Sequence, residues 1–185
     1  VNTMKQVQEK TGAVFVPPYD HEDIIEGQGT CAYEIHHDVI PDYILTPVGG
    51  GGLLSGTILA CREIGKNAGV IGTEPEGADD AYRSFKSGTH ITEQTPNTIA
   101  DGLRTTLGEL PFQVVSKYAE DILLCNDDEI RSAMLMIMER LKLVVEPSAA
   151  VPLAALIRHK ERFTGKTVVI ILSGGNVDLS SILPD

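Results

Sequence analysis

Residues 47–56 read Pro47-Val48-Gly49-Gly50-Gly51-Gly52-Leu53-Leu54-Ser55-Gly56, with the apolar run Tyr43 to Val48 before them and the helix-like stretch Leu53 to Ile64 after. A strand that runs into consecutive glycines and straight on into a helix places a sharp turn at a helix N-terminus. Without Cβ atoms the backbone can aim several N–H groups at one point, and the first helical turn adds unpaired donors and the positive end of its dipole. That arrangement suits a phosphate. The alternative is a tight turn that only lets strand and helix pack closely, at a high cost in chain entropy. Two nucleotide patterns fail on residues. For G-x-G-x-x-G, counting from Gly49 puts Leu54 at the last position and counting from Gly51 puts Leu53 at the middle one, while the G-K-[ST] ending of a nucleotide-triphosphate loop has no nearby lysine.

Working outward, the chain alternates between helical and extended patterns. Val1 to Lys10 resembles the tail of a helix with Gly12 as its cap, and Ala13 to Val16 reads as a short strand stopped by Pro17 and Pro18. His21 to His37 reads as a helix weakened at Gly27 and Gly29. Val70 to Glu74 reads as a strand, Asp79 to Ser87 as a helix stopped by Gly88, and Thr89 to Leu107 as an ordered loop. Phe112 to Val115 and Ile122 to Leu124 read as extended. Asp127 is placed to cap a helix running to Arg140, Pro147 opens another that reaches His159, and Lys166 to Leu172 is a β-branched strand. Strands without polar alternation, joined through helices, predict an α/β protein: an open, mostly parallel twisted sheet with helices on both faces. No composition shift marks a linker, so one domain is expected.

At 185 residues and 42% hydrophobic, the chain is long and apolar enough to build a core. A net charge of -11 with no Lys/Arg run argues against nucleic acid as a partner. Cys31, Cys61 and Cys125 have neither disulfide-framework nor metal-cluster spacing, which suits a reducing, cytoplasmic setting. No stretch approaches the roughly 20 apolar residues of a membrane span, so no membrane association is expected.

Open α/β sheets bind ligands beyond the C-terminal ends of their strands, and several such ends carry unusual residues. Ser173-Gly174-Gly175-Asn176 follows the last strand, where a serine hydroxyl can hydrogen-bond a heterocycle nitrogen; a plain turn is the other reading. Glu74, Glu76, Asp79 and Asp80 form an acidic cluster that suits a hard divalent cation, or merely a helix N-terminus with solvated acids. Glu146 lies between Val144-Val145 and Pro147, a setting for a partly buried carboxylate and hence a candidate site residue. His21, His36, His37, His90 and His159 form no ligand set. Met134, Met136 and Met138 read as core or interface, and Ser148 has no nearby base to make it a nucleophile.

The ordered set Pro18-Tyr19-Asp20, Gly27-Gln28-Gly29-Thr30, the glycine run, Gly72-Thr73-Glu74-Pro75, Thr98-Ile99-Ala100-Asp101-Gly102, Glu146-Pro147-Ser148 and Ser173-Gly174-Gly175-Asn176-Val177-Asp178 resembles the serine racemase and serine/threonine dehydratase family. These are fold-type II pyridoxal-phosphate enzymes with a tryptophan-synthase-β-like sheet, and the resemblance covers essentially the whole chain. It implies that Gly49, Gly50, Gly51, Gly52 and Leu53 cradle the phosphate of pyridoxal 5'-phosphate, that Ser173 pairs with the pyridine nitrogen, and that Glu146 lies near the ring. It also implies a structural divalent cation, Mg2+ or Ca2+ with Mn2+ admissible, on Glu74, the Ala78 carbonyl and Asp80.

The same resemblance implies a Schiff-base lysine upstream of everything present here. Lys5, Lys10, Lys66, Lys86, Lys117, Lys142, Lys160 and Lys166 all read as surface positions. The chain is therefore expected to be the C-terminal portion of an enzyme, with residues 1–20 the trailing edge of a small domain and no catalytic residue of its own. The missing N-terminal portion is then a partner, and the complete enzyme a homo-oligomer, commonly a dimer. Serine is the leading substrate and threonine the next, for ammonia-lyase or racemase chemistry. The alternatives are a 3-hydroxyaspartate or catabolic threonine dehydratase, or a catalytically dead piece with binding or structural duty.

Overall fold

Four strands, Tyr43–Pro47 (β1), Gly69–Pro75 (β2), Asp121–Cys125 (β3) and Val168–Ile170 (β4), pair in parallel in the spatial order β3-β2-β1-β4. The structure is a computed structural model and describes residues 2–65 and 68–179. The helices are Asn2–Thr11 (α1), Glu22–Asp38 (α2), Gly52–Glu63 (α3), Asp80–Ser87 (α4), Glu109–Tyr118 (α5), Asp127–Leu141 (α6) and Pro147–Arg158 (α7). Lys66, read above as a surface lysine, lies outside the described residues. No described helix is long and apolar enough to cross a membrane.

The unbroken apolar strands are explained by cover on both faces. In register, Ile44 sits opposite Val70 and Leu45 opposite Ile71. Ile44, Val70 and Ile122 pack with Leu54 and Ile58 of α3, whereas Leu45, Ile71 and Leu123 pack against Ala155 of α7 and Phe163. Successive strand residues point to opposite faces, so each face needs its own apolar set, and each fully buried side chain contributes about 1.5–3 kcal/mol. A further cluster joins Ile130, Met134 and Ile137 of α6 to Ala150 and Ala154 of α7, which makes Met134 a core residue; Met136 stays exposed.

Several elements differ from expectation. Gly29 does more than weaken α2: a Cβ there would lie 2.9 Å from the Gly56 carbonyl oxygen, and one on Gly56 would run into the Ile25 carbonyl. The two glycines let α2 and α3 cross with their backbones in contact. Residues 112–115 are helical rather than extended, because the Asp20 carboxylate accepts the N–H groups of Glu109 and Leu110 and so caps α5 from a distant part of the chain. Residues 13–16 form no strand; Val14 is 86% exposed and no described strand pairs with it. Asn126, not Asp127, caps α6 in a reciprocal box with Glu129 (2.9 and 2.8 Å). β4 is shorter than residues 166–172, although the Ile171 N–H still donates to the Leu45 carbonyl at 3.1 Å.

Candidate active site

Because β1, β2 and β4 are parallel neighbours, their C-terminal ends deliver the glycine run, Glu74 and the Ser173 segment to one edge of the sheet. Gly51 is the N-cap of α3 with φ 85°, a left-handed conformation, and no side chain caps the helix. The N–H groups of Gly49, Gly50, Gly51, Gly52 and Leu53 find no acceptor among the described residues. Gly49 to Gly52 are buried. A buried unpaired N–H costs about 1–3 kcal/mol, so a row of them at a helix N-terminus is a set of donors suited to an anion. A phosphate fits that set, and a plain turn leaves it unexplained.

The loop is also tightly enclosed. A Cβ on Gly50 would fall inside the Tyr19 ring, and one on Gly51 would strike the Leu107 side chain and lie 2.8 Å from Pro111 Cβ. On the other side, a Cβ on Gly49 would lie 2.9 Å from Thr105 Oγ1 and 3.0 Å from the Gly102 carbonyl oxygen. Gly102 in turn donates its N–H to Ser148 Oγ at 3.1 Å. The carboxylate of half-buried Glu146 accepts the Asn176 N–H at 3.1 Å, and the Glu146 N–H donates to the Gly174 carbonyl at 3.1 Å. Through Gly102 and Glu146, then, the structure links the glycine run to the segment that bears Ser173. Ser173 itself is exposed, with no hydrogen-bond partner among the described residues. Ser148 serves as a buried acceptor.

The acidic cluster splits in two. Asp79 pairs with Arg83 at 2.8 Å and Glu76 with Arg158 at 2.6 Å, so neither joins a common ligand set. Among the described residues no group of three or more His, Cys, Asp or Glu side chains is arranged to hold a metal. What remains is Glu74 and Asp80, 1% and 0% exposed, with Ala78 buried between them in sequence. Glu74 accepts the N–H groups of Ala81 (3.2 Å) and Tyr82 (2.7 Å). Asp80 accepts Gln94 Nε2 (2.5 Å) and the Leu107 N–H (2.7 Å). Burial first, and then repulsion from Asp80, push the Glu74 carboxyl well above its usual range. Burial also raises Asp80, against the pull of the Leu107 N–H. Two buried acids, each raised by its burial, suit a hard cation supplemented by a backbone carbonyl.

The remaining candidates are structural. His36 Nδ1 lies 2.7 Å from the Ala32 carbonyl, His90 Nε2 2.7 Å from that of Leu107, and His159 Nε2 3.2 Å from that of Leu124. Lys86 binds Asp121 at 2.8 Å and Lys166 binds Asp42 at 3.2 Å, both at the opposite, N-terminal edge of the sheet. Tyr19, Gln94, Thr105 and the Gly102–Ser148 bond were not singled out from sequence. Tyr19, Gly102 and Ser148 lay in quoted motifs that could have signalled them; Gln94 and Thr105 did not.

A parallel sheet with a row of unpaired backbone N–H donors at its C-terminal edge defines an α/β protein with a site suited to an anion. The family model described as "Pyridoxal-phosphate dependent enzyme" matches residues 1–174, and the chain belongs to that family. It is 45% identical to a beta-hydroxyaspartate dehydratase of Paracoccus denitrificans over 97% of this chain and 58% of that protein. It is 46% identical to a serine racemase of Dictyostelium discoideum over 96% of this chain and 56% of that one. Among solved structures, maize serine racemase superposes with a TM-score of 0.91 at 41% identity, covering 97% of this chain and 56% of that one. The chain thus spans little more than half the length of these relatives.

Proposed function

We propose that the protein containing this chain is a pyridoxal-phosphate enzyme acting on small β-hydroxy amino acids, as an ammonia-lyase or racemase, with serine the first substrate and threonine the second. The observation that carries this reading is the row of unpaired N–H groups from Gly49 to Leu53, buried at Gly49 to Gly52, in a member of the pyridoxal-phosphate family. When bound, pyridoxal phosphate supplies an electron sink for the charge left when the α-proton departs.

The chain's own residues hold and tune that group. The N–H groups of Gly49, Gly50, Gly51, Gly52 and Leu53, with the α3 dipole, grip the phosphate. The Ser173 hydroxyl would be a neutral partner for the pyridine nitrogen, which would leave the ring a more modest sink than an acidic partner would make it. Glu146, whose carboxylate accepts the Asn176 N–H, would line the ring's site. Lys86 and Lys166 are committed to the far edge of the sheet, and the base that takes the α-proton is assigned, on the family resemblance, to a portion of the protein outside this chain. The complete enzyme is a homo-oligomer. Glu74, the Ala78 carbonyl and Asp80 hold a structural Mg2+, Ca2+ or Mn2+, which offsets the burial of the two acids.

A 3-hydroxyaspartate substrate is the second reading, favoured by the 45% identity to the Paracoccus dehydratase. The test uses the full-length polypeptide loaded with pyridoxal phosphate and offered L-serine, L-threonine and 3-hydroxyaspartate in turn. Oxo-acid and ammonia release, or D-serine from L-serine, is the expected result, and the substrate ranked first by kcat/KM decides between the readings. No turnover of any of the three would overturn both. For the cation, Mg2+ or Ca2+ added to chelator-treated protein should raise Tm, and Asp80→Asn should abolish that rise.

A further inference from the structure

Tyr19 and Asp20 take no part in the site as assigned above, yet they enclose its phosphate loop. A Cβ on Gly50 would fall inside the Tyr19 ring, and one on Gly52 would lie 3.1 Å from Tyr19 Cβ. The half-buried ring is thus the wall behind two of the four glycines. The next residue, Asp20, places one carboxylate oxygen on the Glu109 N–H (3.1 Å) and the other on the Leu110 N–H (3.0 Å), at the first turn of α5. Gly108, the N-cap of that helix, donates its N–H to the Gly50 carbonyl at 3.0 Å. Pro111, one residue past the capped turn, backs Gly51. One dipeptide therefore holds the loop twice, directly through the Tyr19 ring and indirectly through the helix that Asp20 caps.

Consecutive glycines are the least ordered stretch a backbone can offer, whereas a phosphate grip needs several N–H groups converged on one point before the ligand arrives. No side chain within the loop can supply that order, because a side chain at Gly50 or Gly51 would strike its neighbours. The restraint has to come from outside. We propose that Tyr19 and Asp20 are positioning residues for the phosphate grip, a clamp that holds the Gly49–Leu53 backbone in its ligand-ready form. Ring bulk, not the phenol hydroxyl, does this work at Tyr19, and both carboxylate oxygens do it at Asp20. The inference rests on the assignment of the phosphate to this loop.

The experiment separates the phosphate arm from the rest of the cofactor. In the full-length protein, affinities for pyridoxal phosphate and for pyridoxal, which lacks the phosphate, are measured by absorbance titration for the parent, Tyr19→Ala, Tyr19→Phe, Asp20→Asn and Leu53→Glu. If removing the ring leaves a tenth of the loops competent, Tyr19→Ala should weaken pyridoxal phosphate about tenfold and leave pyridoxal unchanged. Tyr19→Phe should bind both as the parent does, and Asp20→Asn should show a smaller selective loss. Inorganic phosphate should compete with pyridoxal phosphate less well in Tyr19→Ala than in Tyr19→Phe. Equal weakening of both compounds in Tyr19→Ala, or of neither, would overturn the clamp. Should that variant lack a cooperative unfolding transition, Asp20→Asn carries the same test. Leu53→Glu offers the α3 donors a competing carboxylate and tells the two failures apart. If it too leaves the preference for pyridoxal phosphate intact, the phosphate assignment is lost; if it removes the preference while Tyr19→Ala and Asp20→Asn do not, only the clamp is.

Discussion

The two edges of the sheet are built on opposite principles. At the N-terminal edge the acids Asp42 and Asp121 have charged partners near solvent. Asp42 accepts the Thr167 N–H at 2.8 Å and Lys166 Nζ at 3.2 Å, and Asp121 receives Lys86 at 2.8 Å and Arg162 at 2.6 Å. At the C-terminal edge the backbone donors of Gly49 to Leu53 are unpaired and Glu74 and Asp80 are buried without a cation side chain bonded to them. The first edge is satisfied by its own side chains. The second is closed by absent side chains and keeps polar groups in reserve. Changes at the glycine edge should therefore be large and steric, and changes at the ion-paired edge small and sensitive to salt and pH.

The largest expected effect is at Gly50. Gly50→Ala drives a methyl into the Tyr19 ring, beside a loop that is also fastened through the Gly108 N–H. Overpacking of this kind costs about 3 kcal/mol, read as a lower urea midpoint in the full-length protein. Gly27 is the matched control: it lies exposed within α2, and nothing stands within 4 Å of the Cβ it lacks. Gly27→Ala should therefore raise stability by about 0.5–1 kcal/mol. If both substitutions proved neutral, the enclosure of the glycine loop would not be the constraint argued here.

That contrast between glycines also marks how far the sequence could be read. The run Gly49 to Gly52 announced its turn because strand and helix patterns flank it directly, and β1, β2, β3, α3 and α7 were legible for the same local reason. Gly27 and Gly29 looked alike on paper; only the crossing of α3 distinguishes Gly29, which meets the Gly56 carbonyl, from Gly27, which meets nothing. The helix α5 was hidden because its cap, Asp20, is 89 residues from Glu109 in sequence. The acids past β2 looked like one cluster until Arg83 and Arg158, from different elements, drew Asp79 and Glu76 away. Ser173 and Glu146 could be named from motifs, but the connection between them runs through backbone bonds of Gly174 and Asn176 that no spacing rule encodes. Tertiary partners, then, account for what the local pattern missed.

The smallest effect tests the other edge. Burial alone would raise the Asp121 carboxyl, but hydrogen bonds from Lys86 and Arg162 outweigh it and hold the group below its usual range. A carboxyl whose folded value is depressed adds stability above its unfolded value, about 4, and loses that contribution as pH falls through the folded value. Lys86→Met removes one partner and leaves Arg162 in place, and Lys86 is 47% exposed, so solvent screening limits the loss to about 0.5 kcal/mol at neutral pH. The gap in urea midpoint between parent and variant should shrink in high salt and close as pH drops below the carboxylate range. A gap that persists unchanged in acid would mean that Lys86 acts by packing over the Tyr82 and Phe85 rings, whose centroids lie 5.5 Å from its Nζ, rather than by its charge.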